Sequence, residues 1–131
     1  MKKTIKNFSV EYLQILDENG KCDEKLKPNV SVAQLKKMYE LMVLTRVFDD
    51  KAIKLQRQGR LGTYASVKGQ EACQICSAIL FEKGDLAAPA FREHGMFLTR
   101  GVSPVMLFQY WGGDERGMKM PQGIDILPVS I

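Results

Sequence analysis

Phe91-Arg92 has the widest chemical reach of any pair in this sequence. A guanidinium presents a planar fork of N–H donors, and the first amides of a helix add more. An arginine in the first turn of a helix entered from a strand therefore suits a cluster of phosphate oxygens. An ion pair with a neighbouring carboxylate such as Glu93 is the competing use of the same group. His94 is the only histidine, which leaves no partner for a proton relay between imidazoles; a satisfied or solvated structural role is expected for it. The spacing points to no catalytic acid, base or nucleophile. Cys73-x-x-Cys76 falls inside a helical pattern, and four convergent ligands are hard to assemble from Cys22, Cys73, Cys76 and His94. Small buried core residues are expected there, and no metal site. The sequence contains neither a phosphate-binding Gly-x-x-x-x-Gly-Lys-[Ser/Thr] loop nor a Gly-x-Ser-x-Gly elbow.

Two further stretches shape whatever surrounds Arg92. In Gly69-Gln70-Glu71-Ala72 the glycine permits a turn and the acid complements a helix N-terminus. Gly59-Arg60-Leu61-Gly62-Thr63-Tyr64 reads as a helix stop followed by a bend, with Tyr64 available as a pocket wall.

The positioning elements follow from periodicity. Residues 1–30 are polar and poorly periodic; Asn19-Gly20 favours a tight turn, and Val10, Tyr12, Leu13, Ile15 and Leu16 suit a brief strand or docking segment. Ser31 with Gln34 forms a capping-box pattern ahead of a long helix over 32–58. Its apolar stripe runs through Leu35, Met38, Met42, Phe48, Ala52 and Leu55, broadened by Tyr39, Val43 and Val47. At the α-helical rise this span is roughly 40 Å, so part of the stripe is expected to meet another chain or further residues, with self-association or poor solubility as the consequence. A second helix is expected over 70–81, packed through Ala72, Cys73, Cys76, Ala78, Ile79 and Leu80, and a short strand over 85–89. A third helix begins near Arg92. A fourth begins at Ser103-Pro104, a capping residue followed by proline, and closes at Gly112-Gly113. The stretch from Asp114 onward is turn-rich and ends in the apolar 126–131.

Composition narrows the function classes. The 131 residues carry 45% hydrophobic and 26% charged side chains, which places the chain among globular domains of about this size. The net charge of +4 arises from 19 basic and 15 acidic residues that are interspersed. The Lys51, Lys54, Arg57, Arg60 stripe lacks interleaved aromatics, so a solvated helix face is expected and nucleic acid is not. An odd cysteine count, no apolar run long enough for a membrane span and no leader pattern point to the cytoplasm.

Several ordered motifs together carry a family resemblance. Leu55-Gln56-Arg57-Gln58-Gly59-Arg60-Leu61-Gly62-Thr63-Tyr64, Lys68-Gly69-Gln70-Glu71-Ala72 and Pro89-Ala90-Phe91-Arg92-Glu93-His94-Gly95 form its centre. Ile15-Leu16-Asp17-Glu18-Asn19-Gly20-Lys21, Met42-Val43-Leu44-Thr45-Arg46, Gln109-Tyr110-Trp111, Met120-Pro121-Gln122-Gly123-Ile124-Asp125 and Leu127-Pro128 continue it in order. The series resembles the alpha subunit of the thiamine-diphosphate-dependent E1 component of 2-oxo acid dehydrogenase complexes, and looks most like bacterial pyruvate-type members.

That resemblance implies an α/β thiamine-diphosphate-binding fold. Residues 1–30 would form an N-terminal arm and 31–131 the mostly helical N-terminal part of the cofactor domain, with at most one or two short strands. It also implies thiamine diphosphate and Mg2+ as cofactors, and an E1 beta subunit, a second alpha subunit and the E2 acyltransferase as partners. The reaction the resemblance implies is pyruvate decarboxylation with transfer of the acetyl unit to lipoyl groups. Phe91 and Arg92 fall at the diphosphate contacts; the usual aromatic there is tyrosine, so the phenol hydroxyl is missing. Tyr64 and Gln70 fall near the substrate funnel. The family's Gly-Asp-Gly...Asn magnesium motif lies past Ile131, so these 131 residues alone are expected not to turn over pyruvate. A branched-chain or acetoin-type enzyme, or a shortened assembly element without catalysis, remains the alternative.

Overall fold

In the computed structural model, which describes residues 1–82 and 84–126, the apolar spacing after Ser31 becomes α1, Val32–Arg57. Gly59 stops it in the left-handed region at φ 72°, with the Gly59 amide donating to Gln56 O and the Arg60 amide to Leu55 O. This is the reciprocal cap that glycine permits after a helix.

The buried side of α1 is Met38, Leu41, Thr45, Phe48, Asp49, Ala52 and Leu55. Of the expected stripe, Met38, Phe48, Ala52 and Leu55 are buried and Met42 is partly buried, whereas Leu35 and the broadening residues Tyr39, Val43 and Val47 are exposed. Leu41, Thr45 and Asp49, outside the expected stripe, complete the buried side.

Helix α2 is Glu71–Ile79, shorter at both ends than the expected 70–81. It buries Glu71, Gln74, Ile75 and Ala78. Cys73 is exposed and Cys76 half-buried, so the reading of both as buried core residues is corrected; all three cysteines are free thiols. Helix α3 is His94–Thr99, so Arg92 precedes it instead of lying in its first turn. Helix α4 is Pro104–Trp111; the Ser103 Oγ accepts the Met106 amide at 3.2 Å and proline occupies the first turn, as the sequence predicts. A 3-10 helix, Glu115–Met118, follows it.

The expected 85–89 strand does not form. A single parallel bridge joins Ala87 to Ile126, and no strand is present among the described residues. Two adjacent alanines supply little of the cross-strand packing that holds a ladder together. The mostly helical character expected of this part of the chain is what the structure has, without the sheet; the apolar 127–131 lie outside the described residues.

Contacts divide the chain into two compact units, Met1–Ser31 and Val32–Ile131. The first holds one antiparallel bridge, Leu16 to Cys22, around a turn in which Asp17 Oδ1 accepts the amides of Asn19 and Lys21 at 3.0 and 2.7 Å. Only Gly20 of the Asn-Gly pair takes positive φ, and backbone bonds from Gly20 N to Asp17 O and from Asp17 N to Lys21 O close the same turn. Val10, Tyr12 and Leu13 are exposed and make no strand. In the second unit Phe48, Ala52, Tyr64, Ala87, Phe97, Leu98, Val102, Leu107, Ile124 and Ile126 form the core that backs Arg92's segment.

Candidate functional site

Asp49 is the polar centre on which the 59–69 loop is built. It is 1% exposed, and its Oδ1 accepts from the Tyr64 hydroxyl and the Val67 amide, both at 2.8 Å, while Oδ2 accepts from Ser66 Oγ at 2.7 Å. Bonds from several donors offset the cost of burying a carboxylate that makes no ion pair with any described residue.

A second acid closes the same loop onto α2. Glu71 accepts the Gly69 amide at 3.0 Å and Arg46 Nε at 2.5 Å, with Gly69 at φ 87°. The hydrogen bond from Arg46 holds the Glu71 carboxyl below the usual carboxylate range. Gln70, immediately before α2, is exposed and makes no side-chain cap.

Arg92 is held at both ends. Its Nη1 donates to the Ser66 carbonyl at 2.6 Å, and its own carbonyl accepts Gln74 Nε2 at 3.2 Å. The guanidinium lies 5.5 Å from the centre of the Phe91 ring, which is 55% exposed. Glu93 does not take the guanidinium: its carboxylate accepts the Arg92 backbone amide at 2.9 Å. The ordinary ion pair is thus absent, and the remaining guanidinium donors have no partner among the described residues.

The amides at the start of α3 are already occupied. His94 N bonds to Arg92 O, Gly95 N to Gln74 Oε1, and Met96 N to Glu93 O. An anion here would therefore meet the arginine fork and not the helix start, which corrects the expectation that the two act together.

Beside Arg92 lies an apolar recess lined by Phe91, Glu93, His94, Phe97, Leu107, Tyr110, Trp111 and Met120. His94 forms its floor, stacked on Tyr64 at 4.8 Å and edge-on to Trp111 at 5.3 Å, with Nε2 3.2 Å from the Ala65 carbonyl. Burial lowers the His94 pKa to about 4, so the ring is neutral at pH 7 and Nε2 is the donor to that carbonyl. Tyr64 is 5% exposed and sits beneath His94 with its hydroxyl committed to Asp49.

Residues 39–126 match the sequence profile of the family described as Dehydrogenase E1 component. The chain belongs to that family. It is similar to the "Pyruvate dehydrogenase E1 component subunit alpha" of Acholeplasma laidlawii, 46% identical over 116 residues, which covers 88% of this chain and 34% of that protein. The same-named protein of Staphylococcus aureus (strain Mu50) is 39% identical over 122 residues, covering 92% of this chain and 33% of the relative. That of Staphylococcus epidermidis is 38% identical over 122 residues, with 92% and 33% covered. The chain spans about a third of the length of these relatives.

Within this E1 family chain, Phe91 and Arg92 adjoin the recess or its rim, Tyr64 lies one layer below, and Gln70 stands at the head of α2. Sequence reasoning missed Asp49, Ser66 and Gln74. The i to i+4 step from Thr45 to Asp49, on the side of α1 that also carries Leu41, Phe48 and Ala52, was the available signal for the first. Ser66 and Gln74 act through contacts distant in sequence and left none.

Proposed function

We propose that this chain is the N-terminal part of a pyruvate dehydrogenase E1 alpha subunit, acting in thiamine-diphosphate-dependent oxidative decarboxylation of pyruvate with transfer of the acetyl unit to E2 lipoyl groups. The observation that carries the reading is the Arg92 guanidinium. It is held by the Ser66 carbonyl beside the Phe91 ring, bears no carboxylate partner among the described residues, and lies within a stretch matched to relatives of that name.

The residues present fit the diphosphate. A guanidinium with unused donors meets phosphate oxygens in bidentate fashion, and the apolar recess beside it limits water access. Phe91 sets its ring 5.5 Å from the guanidinium carbon and offers no hydroxyl. Thiamine diphosphate supplies the electron sink; the protein supplies orientation and electrostatics. Gln70 is assigned to the substrate side of the pocket. Tyr64 is assigned to its base, where it supports His94 from below. Among the described residues no group of three or more His, Cys, Asp and Glu side chains could hold a metal ion. Mg2+ belongs in this reading to the remainder of the relatives' length.

The partners in this reading are an E1 beta subunit, a second alpha subunit and E2 acyltransferase, in the cytoplasm. No helix among the described residues is long and apolar enough to cross a membrane.

Grafting residues 39–126 into the Acholeplasma laidlawii subunit and reconstituting it with its partner tests the reading. We expect pyruvate decarboxylation that depends on thiamine diphosphate. A folded, assembled graft that is inactive on pyruvate, or that prefers a branched-chain 2-oxo acid, overturns it.

A further inference from the structure

Two clamps act on Arg92 from different directions. Gln74 holds the backbone: Nε2 donates to the Arg92 carbonyl at 3.2 Å while Oε1 accepts the Gly95 amide at 2.9 Å. The guanidinium depends instead on the Ser66 carbonyl, and that carbonyl belongs to a loop with no strand or helix of its own. What fixes the loop is Asp49. Its carboxylate takes the donors of Tyr64, Ser66 and Val67, two residues on one side of the Ser66 carbonyl and one on the other.

A 1% exposed carboxylate with no ion-pair partner among the described residues is an expensive way to fill a core position, since an apolar side chain would fill it at lower cost. An anion does what an apolar residue cannot. It gathers several donors from one irregular segment and sets their orientation to within hydrogen-bond tolerance.

We propose that Asp49 is the positioning residue for Arg92, acting through Ser66. The carboxylate fixes residues 64–67 so that the Ser66 carbonyl holds one arm of the guanidinium and leaves its remaining donors to an anion. The proposal rests on the preceding functional reading only for the identity of that anion.

The test uses the whole chain and nitrogen-15 NMR of arginine side chains, with the Arg92 signals identified by Arg92→Lys. We expect slowly rotating Nη groups for Arg92 in the wild type. Ser66→Ala keeps the backbone carbonyl but removes the bond to Asp49; it is expected to abolish the slow signals and to weaken inorganic pyrophosphate binding about tenfold. Ser66→Thr, which keeps the hydroxyl, restores both. In an Arg92→Gln background, Ser66→Ala adds no further loss, whereas a general structural weakening would. Asp49→Asn should act in the same direction; if it does not fold, the Ser66 pair decides. Slow Arg92 signals that persist in a folded Ser66→Ala chain overturn the proposal. Slow signals lost on Ser66→Ala, with pyrophosphate binding indifferent to Arg92→Gln, support the positioning and reject the diphosphate reading instead.

Discussion

The Asp49 carboxylate and the Tyr64 hydroxyl meet at 2.8 Å, with the two residues 1% and 5% exposed. Burial first, then the bond to Asp49, pushes the Tyr64 pKa up, so the phenol remains a donor across the working pH range. Tyr64→Phe removes one of the donors reaching Asp49 and should cost about 1–2 kcal/mol in urea unfolding. Asp49→Ala orphans Tyr64, Ser66 and Val67 together and should cost about 3–5 kcal/mol. Equal costs for the two variants would contradict a loop organised around Asp49.

Acid sensitivity follows from His94. Burial holds its pKa down to about 4 from 6.5, against the Ala65 carbonyl and the Asp49 and Glu93 carboxylates, with Arg92 acting alongside burial. The unfolded chain therefore takes up this proton first as pH falls. Stability declines from pH 6.5 toward pH 4 and this loss is complete below it, amounting to about 3 kcal/mol. His94→Phe should flatten urea midpoints across that window. A slope unchanged from wild type would show that His94 is not the source of the acid sensitivity.

Gly117 is buried where the 3-10 helix crosses α4, and a Cβ there would lie 2.6 Å from Tyr110 Cα and 2.7 Å from the Gln109 carbonyl carbon. Backbone cannot yield as a flexible side chain does. Gly117→Ala should destabilise by about 3 kcal/mol and loosen the wall of the recess that Tyr110 and Trp111 form. Thermal unfolding measures it; a variant as stable as wild type contradicts this packing.

Along α1, Leu35, Tyr39, Val43 and Val47 form an exposed i, i+4 row, 53%, 68%, 44% and 62% accessible. An apolar ridge of this length favours association. Sedimentation of the chain should show mass rising with concentration, and Val43→Lys with Val47→Glu should lower it. A monomer at every concentration would refute the expectation.

What could be read from the sequence was local chemistry. Ser103-Pro104 caps α4 with its own side chain, and Gly59 stops α1 through its own φ, so neither needs the rest of the fold. On the inward side of α1 the apolar Met38, Phe48, Ala52 and Leu55 were legible from their spacing, but the polar Thr45 and Asp49 were not. Thr45 and Asp49 count as polar until Tyr64, Ser66 and Val67 are folded against Asp49. The start of α3 moved past Arg92 because Gln74, remote in sequence, bridges the Arg92 carbonyl and the Gly95 amide. The 85–89 strand did not form because strand propensity means little without a partner, and among the described residues Ala87 bridges to Ile126 alone.

Thiamine diphosphate affinity of the grafted subunit, measured by calorimetry with Mg2+ present, decides whether Arg92 grips a diphosphate. We predict that Arg92→Gln weakens binding by about tenfold or more while thermal stability stays close to that of the unmutated graft. Equal affinity in the two proteins would contradict it.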